Sequence, residues 1–338
     1  MFRLFQSIFA PDASTGGRYP DELIHRAIER AVDGTDPRLR ALPRYHKPLR
    51  AAVIHAIDHV VNLVEQLPPP AEISRQRYGT DPHLCAFFAS VEHMQEVFGT
   101  DLALSDFLAT AEGSVAEQVV ALLVMEKQER HVFGMDLEGG MLRRDVPQVT
   151  VNFADHRLLD PASTETETRR LLKRRAFDHL LSLALRRIVD ARLQRAGLEE
   201  QRTLLRRKLK ALQDSRWGFE EADPGKGPDV AELEAQLAAI EAQLLGLSAD
   251  GGTLKAHLDI LVDVLGRAEE GLWATHVSLI VDRLGVKREQ HAAGTLQLDL
   301  DELRNTTGRT AIVRLVRVAR AALPPRRDLL REAKRYLG

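Results

Sequence analysis

The sequence has one cysteine, Cys85, in 338 residues. A single thiol closes no internal disulfide and builds no cysteine-rich zinc site, so a reducing cytoplasm is the expected setting. Leu84, Phe87 and Phe88 around it predict a small buried side chain at Cys85. Long hydrophobic runs are also missing. The best candidates, Val119–Met125 and Ala51–Val64, are too short or are broken by His and Asp, whereas a bilayer needs roughly 18–20 apolar residues. The first ten residues hold one basic side chain, Arg3, and no apolar core long enough for a signal peptide, so secretion is not expected. Nucleotide and hydrolase signatures are lacking too. Asp223-Pro-Gly-Lys-Gly-Pro228 has a Gly-Lys-Gly but neither the spacing nor the Ser/Thr of a P-loop, and there is no G-x-S-x-G. No cofactor is expected.

What remains is an ordinary globular balance, 44% apolar and 28% charged, enough for about two domains. The formal charge of −2 hides alternating blocks. Residues 1–162 carry a net −7, 163–214 a net +7, 215–304 a net −9 and 305–338 a net +7. Alternation on this scale predicts that basic segments lie against acidic ones, within the chain or across an oligomer.

Residues 20–130 read as a helical bundle. Pro20-Asp21-Glu22 opens a helix with Leu23, Ile24, Ala27, Ile28 and Ala31 inward, and Lys47–Leu67 repeats apolar residues at helical spacing. His83–Phe98 and Ser114–Lys127 complete the set. Gly-Thr-Asp recurs at 34–36, 79–81 and 99–101. It reads as one local device: glycine ends a helix at positive φ, and Asp or Thr caps the next. Residues 130–156 change period. Val149, Val151 and Phe153 alternate with polar residues after Glu138-Gly139-Gly140, which predicts a hairpin with Pro147 on an edge strand. A second hairpin is expected from 296–301 and 311–318 across the Thr306-Thr307-Gly308 turn, with 277–281 as a further strand, although Trp273, Val277, Ile280 and Leu284, and likewise Ile312, Leu315, Val316, Ala319 and Leu323, also fit helical spacing.

The most legible region is 160–248. Thr164-x-x-Glu167 is a capping box, and a basic helix follows from about 164 to 214, with Gly197 as a point of bending or breakage. Leu205, Leu209 and Leu212 continue an apolar seam. After a Gly- and Pro-bearing loop, Val230, Leu233, Leu237, Ile240, Leu244 and Leu247 follow at alternating spacings of three and four, a heptad pattern. Acidic flanks on this arm face basic flanks on the earlier one, so an antiparallel coiled-coil hairpin is expected. The fold class is therefore α+β, predominantly helical: an N-terminal bundle, a small antiparallel sheet from two distant hairpins, and the inserted coiled-coil hairpin. The expected domains are an N-terminal segment (1–19), the bundle (20–130), an α+β domain (130–160 with 250–338) and the helical insertion (161–248).

Coiled-coil projections present surfaces to partners. The leading expectation is a non-catalytic cytoplasmic interaction or scaffold protein, whose seam would equally support a homodimer. Phe2, Phe5 and Phe9 share one side of an N-terminal helix and would give it peripheral membrane contact. A different function class is nucleic-acid binding by the helix at 169–195. Arg169, Arg170, Lys173, Arg174, Arg175, Arg186 and Arg187 could follow a phosphate backbone, although Phe177 is the only aromatic among them. The third is a metal-dependent enzyme. His55 and His59 stand at i and i+4, a spacing that chelates one ion, though Asp58 replaces the Glu of the inverted zinc-peptidase motif. Glu22-Leu-Ile-His25 has the Glu-x-x-His spacing of helical di-iron sites but no second copy in the chain.

Overall fold

The computed structural model describes residues 19–138, 141–214, 230–248, 253–290, 292 and 294–323. It mixes helices with one largely antiparallel sheet. The chain divides into two compact units: Met1–Ile57 with Asp178–Ala268, and Asp58–Phe177 with Glu269–Gly338. The expected 20–130 bundle thus contributes to both units. Both divisions fall inside helices, α2 (His46–Glu65) and α8 (Glu165–Asp214). The Phe2, Phe5 and Phe9 segment lies outside the described residues, as do residues 326–337, whose Arg326, Arg327, Arg331, Lys334 and Arg335 after Pro324-Pro325 predict a short basic helix.

The described part of the first unit is helical. It holds α1 (Asp21–Asp33), a 3-10 turn (Pro37–Ala41), the start of α2, most of α8, then α9 (Val230–Ser248) and α10 (Thr253–Gly266). The inward residues of α1 are as the spacing predicts, with Leu23, Ile24, Ala27, Ile28 and Ala31 buried. Helix α8 runs through Gly197 without a break. On α8, Leu205 and Leu209 are buried and Leu212 half-buried; on α9, Leu244 is buried and Val230, Leu233, Leu237 and Ile240 half-buried. Arg206 on α8 donates to Glu241 on α9.

The second unit is built on the sheet. Its helices are α3 (Arg75–Tyr78), α4 (Pro82–Phe87), α5 (Val91–Thr100), α6 (Leu102–Ala109), α7 (Ala111–Val115) and α11 (Ala268–Gly271), with the end of α2 and the start of α8. Its strands are β1 (Ala71–Ile73), β2 (Gln118–Glu138), β3 (Met141–Ala162), β4 (Leu272–Asp282), β5 (Thr295–Asn305) and β6 (Thr310–Ala319). The order is β3-β2-β6-β5-β4, and β1 pairs in parallel with β6. Alternate residues feed two cores. Val119, Ala121, Leu123 and Met125 of β2 join Ile312 and Val316 of β6 on one face, with Leu84, Phe88 and Met94 from the short helices. Leu122, Val313 and Leu315 face the other way, onto Val64 of α2 and Leu172 of α8. The sheet also curls. The turn after β4 bonds back to β3, with Val151 N donating to the Gly285 carbonyl and Lys287 N to that of Val149. Gly285 makes this turn at φ +77°, a region where glycine pays no steric penalty.

Three sequence readings change. Ser114–Lys127 is not a helix: β2 starts at Gln118. Its apolar run is continuous because a central strand covered on both faces needs no alternation, which makes it indistinguishable from a buried helix by period alone. The glycines of the Gly-Thr-Asp device do not use positive φ: Gly34 and Gly79 both sit at −76°, and Gly99 lies inside α5. What repeats is the polar pair. Thr35, Thr80 and Thr100 each donate back to a carbonyl of the ending helix (Ala31, Arg77 and Glu96). Asp36, Asp81 and Asp101 then accept from backbone N–H groups of the next turn (Arg38, His83 and Leu104). Lastly, Cys85 is exposed, its thiol directed to the Tyr78 carbonyl. The inward residues of its helix are Leu84 and Phe87.

The hairpin of β2 and β3 is longer than its sequence signal, pairing Val120 with Ala162 and Glu138 with Met141. Pro147 stands on β3, an outer strand. The ladder slips by one residue three times, and each slip inserts one extra residue on β3. Each extra stretch contains an aspartate at positive φ: Asp145 (60°), Asp155 (52°) and Asp160 (51°). These are β-bulges, and Asp tolerates the left-handed region better than most residues. Asp155 is exposed. Asp155→Gly is therefore expected to stabilise the fold by about 1 kcal/mol and Asp155→Val to destabilise it by about 1–2 kcal/mol. Urea unfolding followed by circular dichroism checks both signs.

Candidate functional site

A cluster of polar side chains able to hold a ligand lies in the first unit. Helix α1 starts after Pro20, whose carbonyl accepts from Leu23 and Ile24 N–H, and carries His25 and Glu29 one turn apart. The 3-10 turn supplies Arg40, the first residue of α2 is His46, and Tyr45 stands just before it. The Glu29 carboxylate is the hub. Its Oε1 accepts from the Tyr45 hydroxyl at 2.6 Å and lies 3.2 Å from His46 Nε2. Its Oε2 accepts from Arg40 Nε at 3.0 Å and Nη2 at 2.7 Å. Arg40 also reaches Asp33 at 2.7 Å. Burial alone would raise the Glu29 carboxyl, but the bonds from Tyr45 and Arg40 outweigh it and hold it below its ordinary range. The same burial and the nearby carboxylate push the Tyr45 hydroxyl up. The His46 ring stacks on Tyr45 at 3.8 Å and on His25 at 5.3 Å. The ligand atoms of His25, Glu29 and His46 all lie within 4.8 Å of one another, the one such trio among the described residues. Glu22, the sequence partner expected for His25, pairs with Arg26 instead.

A second cluster is buried. Asp36, 3% exposed, accepts from Arg38 and Arg192 and from His257, which is 1% exposed. His257 Nδ1 lies 2.9 Å from Asp36 Oδ2, and Arg192 Nε lies 3.4 Å from His257 Nε2. A neutral imidazole with its proton on Nδ1 satisfies both contacts. Burial pushes the His257 ring down, against the opposing pull of Asp36. For Asp36 burial acts upward, yet the bonds from Arg38 and His257 and the charge of Arg192 hold its carboxyl far below the usual range. This network closes on itself and ties the α1–α2 connection to α8 and α10.

The other sequence candidates are placed as follows. His55 is exposed, while His59 Nε2 donates to the Leu272 carbonyl at 2.7 Å. No third ligand joins that pair among the described residues. In the basic helix, Arg169 donates to Glu165 and to the Val64 carbonyl, Arg170 to Glu167 and Lys173 to Glu65. Arg175 donates to Asp160 and Arg187 to Asp263. Arg174 is half-buried and Arg186 exposed. In the second unit an open pocket of about 660 Å³ is lined by Ile73, Arg75, Met94, Phe98, Val318 and Leu323 among others. Arg75 is the one ionisable residue in that lining among the described residues, so the pocket offers no acid–base pair. No helix of the described residues is long and apolar enough to cross a membrane.

Comparison with protein-family models, with curated proteins and with solved structures finds no match to this chain. Sequence reasoning found His25 but missed Glu29 and His46. The i, i+4 spacing of His25 and Glu29 was the available signal. His46 lies beyond a 3-10 turn, and nothing local in the sequence brings it back to α1.

Proposed function

We propose that the chain is a non-catalytic interaction protein and that α8 and α9 fold back on each other as an antiparallel coiled-coil hairpin that meets the partner. One observation carries the reading. Protection along the two helices follows the heptad row, with Leu205, Leu209 and Leu244 buried, yet Leu204 and Leu245 beside them stay 52% and 69% exposed. A hairpin that closed on itself alone would have polar residues there. Outward leucines flanking a closed seam suit a further amphipathic helix. Its charge is suggested by the arms: Arg207, Lys208 and Lys210 are exposed on α8, and Glu232 and Glu234 on α9.

The test places a photo-crosslinking amino acid at position 204 or 245 of the full chain inside cells. One dominant adduct from each position is expected, with loss of the position-204 adduct in Leu245→Glu at unchanged melting temperature. An adduct of twice the chain mass identifies the partner as a second copy. Absence of adducts at both positions, or adducts indifferent to Leu245→Glu, overturns the reading.

A further inference from the structure

We infer that His25, Glu29 and His46 form a binding site for a borderline divalent transition ion, zinc above all. The inference does not depend on the proposed function. Two imidazoles and a carboxylate are a donor set that suits zinc, nickel or copper and is poor for magnesium or calcium, which prefer all-oxygen shells.

The geometry is close to what an ion requires. Two ligand atoms about 2.1 Å from one zinc stand roughly 3.0 Å apart at a right angle and roughly 3.4 Å apart at the tetrahedral angle. His46 Nε2 and Glu29 Oε1 are 3.2 Å apart. An ion would take the place of the proton they now share. His25 is exposed, so its ring can turn from its stack on His46 to bring the third donor in. Water on the open side would complete a tetrahedron.

The supports are in place. Glu29 sits one turn after His25 on a helix whose opposite face is buried through Leu23, Ile24, Ala27 and Ile28. His46 opens α2 and is held by the Tyr45 ring. Arg40 is the evident objection, because a guanidinium competes with a cation for a carboxylate. It occupies only Oε2, however, and shares its charge with Asp33. Oε1 is left to Tyr45 and His46. With an ion on Oε1, Arg40 and Tyr45 become the outer hydrogen bonds that orient a ligating carboxylate. The bound ion would fasten α1 to the start of α2.

The experiment uses the untagged full chain, stripped with chelator and titrated calorimetrically with zinc chloride near neutral pH. One ion per chain is expected, and magnesium chloride should give no heat at this site. Removing outer-sphere partners of a metal costs about 10–100-fold in affinity, so Tyr45→Phe should weaken binding by that factor. His25→Ala and His46→Ala, which delete ligands, should weaken it more. His55→Ala, an exposed histidine off the site, should bind as the wild type. Zinc should raise the melting temperature of the wild type and leave that of His25→Ala unmoved. Because His25 is exposed, its variant keeps the test valid even if His46→Ala fails to fold. Binding that survives His25→Ala undiminished, or a wild type that takes up less than one ion, overturns the site.

Discussion

Asp36→Ala is expected to destabilise the protein by about 2–4 kcal/mol: buried His257 loses its acceptor, while the charge released on Arg38 and Arg192, 62% and 37% exposed, is screened by solvent. The deletion leaves Arg192 and buried His257 facing a cavity where the carboxylate stood. It also removes the cap on the Pro37–Ala41 turn. Asp36→Asn keeps the shape and part of the hydrogen bonding but lacks the charge, so its loss should be smaller. The pH dependence follows from two shifts of one sign. His257 in the fold titrates below its ordinary value near 6.5, so the unfolded chain binds the extra proton first. Stability from this group is present at neutral pH and falls as pH drops below that value. Asp36 likewise titrates far below its ordinary 3.8, and its contribution drains away only under stronger acid. The wild type should therefore lose stability in two stages on acidification. His257→Gln should remove the first stage and Asp36→Asn the second. Urea midpoints measured from pH 8 to pH 2 separate them, and a His257→Gln curve parallel to the wild type between pH 7 and pH 5 would refute the assignment.

Local features of this chain were legible where neighbours in sequence are neighbours in space. Apolar spacing marks α1 and α2, the Thr164 cap is present with Glu167 N donating to its hydroxyl, and the two glycines after Glu138 mark the β2–β3 connection. The strands expected at 277–281 and 311–318 lie inside β4 and β6; for the second, β-branched residues after the Thr306-Thr307-Gly308 turn were the signal. What failed had a non-local cause. Strand β2 looked helical because layers on both of its faces remove the alternation that identifies a strand. The three bulges of β3 depend on register, which no single strand encodes. The clusters around Glu29 and Asp36 were half visible for the same reason. Asp36 was recognised as a cap, but its partners Arg192 and His257 are 156 and 221 residues away. His55 and His59 drew attention by spacing alone, while Glu29 and His46 meet across a turn.

A glycine that the sequence does not mark should give the other large effect. Gly113→Ala is expected to cost about 3 kcal/mol, at the upper end of what overpacking a filled site costs. A Cβ at this position would stand 2.0 Å from the Phe107 carbonyl oxygen and 2.9 Å from Leu108 Cα. Both are backbone atoms of α6, so no rotamer change relieves the overlap; the corner between α6 and α7 must open. Opening it strains two bonds made at the same residue. Gly113 N donates to the Thr110 hydroxyl at 3.0 Å, which caps α7, and its carbonyl accepts from Arg320 at 2.7 Å. Arg320 follows β6 directly, so the corner is what seats that end of the strand beside Glu117, whose carbonyl takes the Arg320 N–H. Gly79→Ala is the matched control. Gly79 follows the last residue of another short helix, α3; its φ of −76° suits alanine and a Cβ there meets nothing within 4 Å. With the same methyl added, it should be neutral or stabilise by about 0.4–1 kcal/mol, since alanine has less freedom to lose on folding. Equilibrium unfolding of the two variants side by side isolates the steric effect, and equal stability of both would show that the α6–α7 corner yields without cost.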